Sequence, residues 1–502
     1  MKYGCFVILL FQIIKSCINI FFSLKELFYL SYLILPISTV TILNYYLISA
    51  NFKLKTEGGV RKYYKSFYLS LENILIFLRR KTEVNFCKKI SVIVLTVLLA
   101  VTVASGAAFA QEKVIKIGTL FPLTGSVALA GTRCKAAVEA AVEVINNAHP
   151  EIQVPLAGQE GILDGYKIVL VHADHQGKAD IAKAEAERLF NQEKVYSIIG
   201  CYNSACTAPA SLVAEREGKI FMCGCSSSAA LTERGLEYFF RMAPTDQTES
   251  LEFCEVMEWM NEAKGANVQT IGIIYENTEF GKHAADEGKA AAAAAGFEVV
   301  ADVPFSPGAT NMNSEVQTLK AKNPDVVFGA CLGGDYTLWV RTMKQMDWLP
   351  KMCLNYCTGY QDPVITQQLG DDANYFMGGT GYAPEFAELM PAVAAVEKIY
   401  EDMVDVPFDS DSIQEAVAVL ILAQAIEKAG TLDYDAVRDT LYANEWDSPL
   451  SMGGKVAFVP GGQNSKAMSM ITQLQGGEYK RVYPVDLATD EVVFPMIPWN
   501  ER

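Results

Sequence analysis

From Val114 onward the sequence predicts an α/β fold: two doubly wound, parallel-sheet lobes joined by a three-strand hinge. Three observations lead there. Short β-branched runs, apolar throughout, alternate with Ala/Glu/Lys-rich amphipathic stretches, the pattern of a parallel sheet covered by helices on both faces. The alternation stops at "FFRMAPTDQ" and then begins again, which makes two such sheets rather than one. The 392 residues from Gln111 exceed what a single compact core usually holds.

The first series opens with the strand "VIKIGTL", followed by a helical pattern over 135–148. Next come "YKIVLVHAD" with a helix over 180–192, "VYSIIG" with a helix over 207–217, and the strand "KIFMCG". The second series has a helix over 249–264, "TIGIIYEN", a helix over 282–295, "FEVVADV", a helix over 313–322, "DVVFGAC" and a helix over 336–346. A long helix follows over 412–430, and "AMSMITQLQGGEYKRVYP" reads as a β-hairpin. The lobes are expected to be 111–243 plus 383–460, and 244–382 plus 461–502, with hinge strands near 243–246, 381–383 and after Phe458.

Upstream lies a different composition. Residues 1–87 contain no Asp and a single Ala, and carry two apolar stretches, 4–23 and 27–50, long enough to span a bilayer. Residues 88–110, "KKISVIVLTVLLAVTVASGAAFA", have the basic start, apolar run and A-x-A end of a secretory signal peptide. A complete export signal is redundant behind two spans. The expectation is therefore that 1–87 is an upstream stretch read through in frame, with translation starting near Val84, and that the chain from Gln111 is extracytoplasmic. The competing reading keeps 1–87 as a membrane tether.

From Gln111 the chain holds 29 basic and 54 acidic side chains, a formal charge of −25. That balance argues against nucleic acid or an anionic membrane surface as partner. Nine cysteines lie in this part, an odd number and without zinc-ribbon spacing. They read as small buried thiols, a Cys201–Cys223 disulfide being the rival. "HADH" (His172, Asp174, His175) is not expected to bind metal, because strand alternation parts the two imidazoles. "GCSSS" lacks the final Gly of a nucleophile elbow, and no nucleophile–base pair is recognisable. No G-x-G-x-x-G or P-loop follows any strand. Neither an enzyme nor a cofactor is expected.

Ligands of such sheets bind beyond the carboxyl ends of the strands. Two loops there share one device. "GCYNSACTAPAS" (200–211) ends a strand and opens a helix, placing Tyr202, Asn203 and Ser204 where free N–H groups point outward. That is an anion site suited to a carboxylate, although Asn and Ser also cap helices in general. "CGCSSSAALT" (223–232) repeats the arrangement with three consecutive hydroxyls.

"IKIGTLFPLTG", "LFNQEKVYSIIGCYNSACTAPAS", "GKIFMCGCSSSAALTERG", "FFRMAPTDQTES" and "IGIIYENTEFGK" together resemble the Leu/Ile/Val-binding family of ABC-transporter substrate-binding proteins, the type I periplasmic fold. The resemblance implies that one lobe holds an amino acid's carboxylate and ammonium through Ser204, the backbone of Cys225, and Ser227. It implies that the other lobe closes with Phe280 and Leu332, and that an ammonium partner falls near Cys357 or Thr358. The sequence departs from the family there: Phe280 lacks a hydroxyl, Leu332 lacks a ring, and neither 357 nor 358 is acidic. An ammonium would then need Asp335, Asp362 or Glu276, or the ligand is not an ordinary α-amino acid.

The expected function is that of a monomeric extracytoplasmic solute-binding protein of an ABC importer, which captures a small carboxylate-bearing metabolite, by the family's default a branched-chain amino acid, and delivers it to a membrane permease. The alternative is a membrane-tethered ligand-sensing receptor domain.

Overall fold

The computed structural model describes residues 113–502, and 111–502 form one compact unit. The expectations for 1–110, both apolar stretches and the signal peptide included, lie outside the described residues. Among the described residues no helix is long and apolar enough to cross a membrane.

The first sheet comprises β1 (Val114–Phe121), β2 (Lys167–Asp174), β3 (Ser197–Gly200), β4 (Phe221–Cys223) and β5 (Phe239–Arg241), ordered β2-β1-β3-β4-β5 and parallel throughout. Between these strands run α1 (Ala128–Asn146), α2 (Ala179–Arg188) and α3 (Ser204–Arg216). Ile115, Ile117 and Ile199 face one apolar cluster, while Leu120, Ile198 and Phe221 face another with Ala182, Ala210 and Val213. Burial on both faces is why these strands read as continuous apolar runs rather than as alternating ones.

The chain then crosses to a second sheet through α4 (Asp246–Lys264), β6 (Thr270–Glu276), α5 (Glu279–Ala295), β7 (Glu298–Phe305), α6 (Asn313–Lys322), β8 (Val326–Ala330), α7 (Gly333–Gln345) and β9 (Met352–Asn355). Short helices α8 (Cys357–Tyr360) and α9 (Pro363–Leu369) lead to β10 (Met377–Thr380). The chain returns to the first lobe as α10 (Phe386–Leu389), α11 (Pro391–Val404), α12 (Ser410–Ala429) and α13 (Tyr434–Ala443), with the small ribbon β11 (Glu445–Asp447) and β12 (Lys455–Ala457). Both α11 and α12 pack on α1. The Ala-rich face of α1, Ala137, Ala140 and Ala141 among it, is wholly buried there and permits a close approach.

The last crossing delivers β13 (Met470–Gln475) and β14 (Glu478–Tyr483) to the second sheet, ordered β14-β13-β10-β9-β8-β6-β7. These two form the expected hairpin. Its two turn residues are Gly476 at φ 60° and Gly477 at φ 83°, the left-handed pair that a two-residue hairpin turn requires. The hairpin is antiparallel to β10, so the second sheet is parallel with an antiparallel edge. Before this crossing, Asn464 N–H still bonds the carbonyl of Arg241, which keeps the chain with the first sheet through that point.

Candidate functional site

The site is built from the carboxyl ends of β3 and β4. After Gly200 the backbone turns through Tyr202, held at φ 79°, a conformation that costs a non-glycine residue about 1–3 kcal/mol unless its surroundings fix it. They do so with a chain of hydrogen bonds. The Ser226 hydroxyl donates to the Tyr202 carbonyl at 2.9 Å, and Thr207 Oγ1 lies 2.7 Å from Ser226 Oγ and accepts from Cys201 N–H at 3.2 Å.

Asn203 precedes the first turn of α3, but its side chain does not cap the helix; Cys206 and Thr207 N–H bond its carbonyl instead. The Asn203 Oδ1 atom is buried with no hydrogen-bond partner. Ser204 opens the helix, and its hydroxyl accepts from Ser228 N–H at 3.4 Å, which ties the two loops together. Ser227 is 6 % exposed. Its carbonyl accepts from Asp246 N–H at 3.1 Å, and Ala229 N–H donates to Asp246 Oδ1 at 3.0 Å. Thus the hydroxyl-bearing turn is pinned to the first residue of α4, where the chain enters the second lobe.

Cys225 is buried, with Sγ 3.3 Å from Glu415 Oε1. Burial raises Glu415 to about 8 despite the Cys225 thiol and the Gly224 and Cys225 N–H groups. Near it, burial and then the charge of Asp409 hold Asp411 well above the usual carboxylate range. All eight cysteines whose side chains are described are free and buried, so the Cys201–Cys223 disulfide is not formed. His172 and His175 are parted as expected: His172 lies 2.7 Å from Thr119 and 3.2 Å from Glu139, whereas buried His175 bonds the Cys201 carbonyl. Asp174 instead receives N–H groups of Leu123, Thr124 and Gln176.

In the second lobe, Phe280 lies in the first turn of α5 and Leu332 just before α7; both are buried. Asp335 is drawn elsewhere: its carboxylate accepts Gly308 N–H at 2.8 Å and so braces the loop after β7. Thr358's side chain lies outside the described residues. Glu276, at the end of β6, accepts the Thr278 hydroxyl at 2.7 Å and is raised to about 7 by burial. Asp362 forms an ion pair with Arg133 of α1 at 3.3 Å, and Arg133 also donates to Asp409 at 2.6 Å. The sequence reading missed Arg133. Its only signal was its place as one of two basic residues, with Lys135, in the Ala-rich run of α1.

The lobes stand together over these loops. Gly333 lies against Ser126 and Val127, and α5 rests on α3. Two α/β lobes, with two hydroxyl-bearing loops at the strand ends of the first turned toward the second, make a bilobal architecture. Residues 114–478 match the family model described as periplasmic binding protein, and the chain belongs to that family. The likeness to Leu/Ile/Val-binding proteins holds as well: the Leu/Ile/Val-binding protein homolog 7 of Brucella suis is 27% identical over 414 residues, covering 79% of this chain and 99% of that one. A leucine-binding protein of Thermotoga maritima superposes with a TM-score of 0.64 at 18% identity, over 74% of this chain and 100% of its own. A solute-binding protein of an ABC transporter from R. palustris, in complex with benzoate, gives 0.62 at 16% identity, over 74% and 95%. These structures share the type I periplasmic fold.

Proposed function

We propose that this chain is an extracytoplasmic solute-binding protein that captures a small carboxylate-bearing metabolite between its lobes and presents it to an ABC permease. The observation that carries the reading is the Ser228–Ser204 hydrogen bond, which sets two loops side by side at the N-terminus of α3. There the first N–H groups of the helix and its positive end favour an anion. The Ser227 hydroxyl, which makes no hydrogen bond to a described residue, is free to join them. The Leu/Ile/Val-binding relatives favour a branched-chain amino acid, with Phe280 and Leu332 of the second lobe against its side chain.

A second reading, a carboxylate without an ammonium group, is favoured by the engagement of the acidic candidates. Asp335 braces a backbone loop, Asp362 pairs with Arg133, and Glu276 accepts a hydroxyl. The benzoate-bound neighbour has the same fold. Calorimetric titration with L-leucine, L-isoleucine, L-valine and benzoate separates the two readings. For whichever ligand binds, Ser204→Ala and Ser227→Ala should each weaken it about tenfold or more, the cost of one charge-assisted hydrogen bond. Wild-type affinity in both variants would refute the site.

A further inference from the structure

We infer that Arg133 and Asp362 form an interlobe clasp that sets how readily the lobes come together, whether or not a ligand is present. Arg133 is on α1 of the first lobe, and Asp362 follows α8 in the second, so their 3.3 Å ion pair can exist only when the lobes meet. Both side chains are nearly buried, at 8% and 11% exposure, which shields the pair from salt. The guanidinium is aimed in advance. Asp409, in the same lobe as Arg133, takes Nε at 2.6 Å and leaves the NH1 group to reach across.

Opening therefore does not strand Arg133, which keeps Asp409. Closing adds one ion pair to a residue already oriented, so little side-chain entropy is lost in making it. Burial opposes the charge of Arg133, but Asp409 and Asp362 outweigh it and raise its pKa. The same guanidinium offsets the charges of Asp409 and Asp362 at buried Asp411, whose carboxyl burial already holds well above the usual range. Without it, three carboxyl groups would meet where the lobes join, and like charges would push them apart.

The clasp rests on the bilobal reading of the fold rather than on any particular ligand, so its test is made on the ligand-free protein. In Asp362→Asn, amide hydrogen exchange at 202–206, 225–229 and 331–335 should quicken about tenfold, as for a coupling in the middle of the usual range. Exchange in the core of α12 should stay as in wild type, and Asp362→Glu should restore most of the protection. Unchanged exchange in Asp362→Asn would overturn the clasp. Equal acceleration in the α12 core would also overturn it, because that reports unfolding rather than opening. A double-mutant cycle with Arg133→Gln supplies a second measurement: the double variant should exchange no faster than the faster single, and additive effects would refute the pairing. A protein that passes these tests yet binds no carboxylate would keep its clasp and lose the function proposed above.

Discussion

The ring of His175 lies 2.9 Å from the Cys201 carbonyl through Nε2, while Nδ1 accepts Gly177 N–H at 3.0 Å. The second bond assigns the proton to Nε2, so the buried ring is neutral and Nε2–H is the donor to Cys201. It thereby holds the peptide next to Tyr202 and the turn that carries Ser204.

That geometry gives a pH dependence. Burial lowers the pKa of His175 below its ordinary value. A lowered value in the folded state means that the stability His175 contributes is intact above about pH 6.5, the unfolded value. It is lost as pH falls from there through the folded value. Between pH 7.5 and 5.5, urea denaturation should show wild type losing more stability, or gaining less, on acidification than His175→Gln, since the buried carboxyl groups act the other way in both proteins. His175→Ala should cost about 1–3 kcal/mol at pH 7.5, since it leaves a buried carbonyl without its donor.

Buried carboxyl groups act in the opposite direction. Burial raises Asp246 and Glu276 to about 7 and Glu415 to about 8. Raised folded values mean a contribution fully present below the unfolded value, near pH 4, and lost as pH rises through 7 to 8. The urea midpoint should therefore fall as pH rises from about 5 to 8, and Glu415→Gln should fall less. A midpoint in Glu415→Gln as pH-sensitive as wild type would contradict this account.

Asp409 performs two tasks. It accepts Ser412 N–H at 2.7 Å as the cap of α12, and it takes Arg133 Nε. Asp409→Ala removes a cap worth about 1 kcal/mol and leaves a buried guanidinium short of its nearer partner, which typically costs about 3–5 kcal/mol. Thermal denaturation should show a far larger loss than for Asp433→Ala, which removes only the exposed cap of α13.

Gly224 admits no side chain. A Cβ there would stand 2.4 Å from Glu415 Cδ and 2.6 Å from its backbone N. Gly224→Ala should cost about 1–3 kcal/mol by overpacking and should displace the Cys225–Ser228 turn, so calorimetry should show weaker ligand binding than for wild type.

The sheets were readable because their strands are buried on both faces and leave unbroken apolar runs. Helix starts were less so. The helices begin at Asp246, Glu279 and Ser410, two or three residues before the first residue that shows apolar periodicity. Their first turns are polar, and the true start is marked instead by the capping side chains of Thr245, Thr278 and Asp409. Between 346 and 412 the expected alternation lapsed, because β9 and β10 are four residues each and α8 and α9 are short. The hydroxyls at 204 and 227 stood out because each follows a strand. Arg133 did not, since its partners come from residues 362 and 409, hundreds of positions away, and no local pattern encodes such a meeting.

Sixteen of the twenty residues of α12 are buried, packed on α1 and against β3 and β4. The amino-terminal lobe thus depends on a helix made almost three hundred residues after that lobe begins. A growing polypeptide cannot seal the apolar face of its first five strands until residue 429 has left the ribosome. Until then that face stays open to water, and truncation anywhere before that point should yield aggregates rather than a half-sized folded protein.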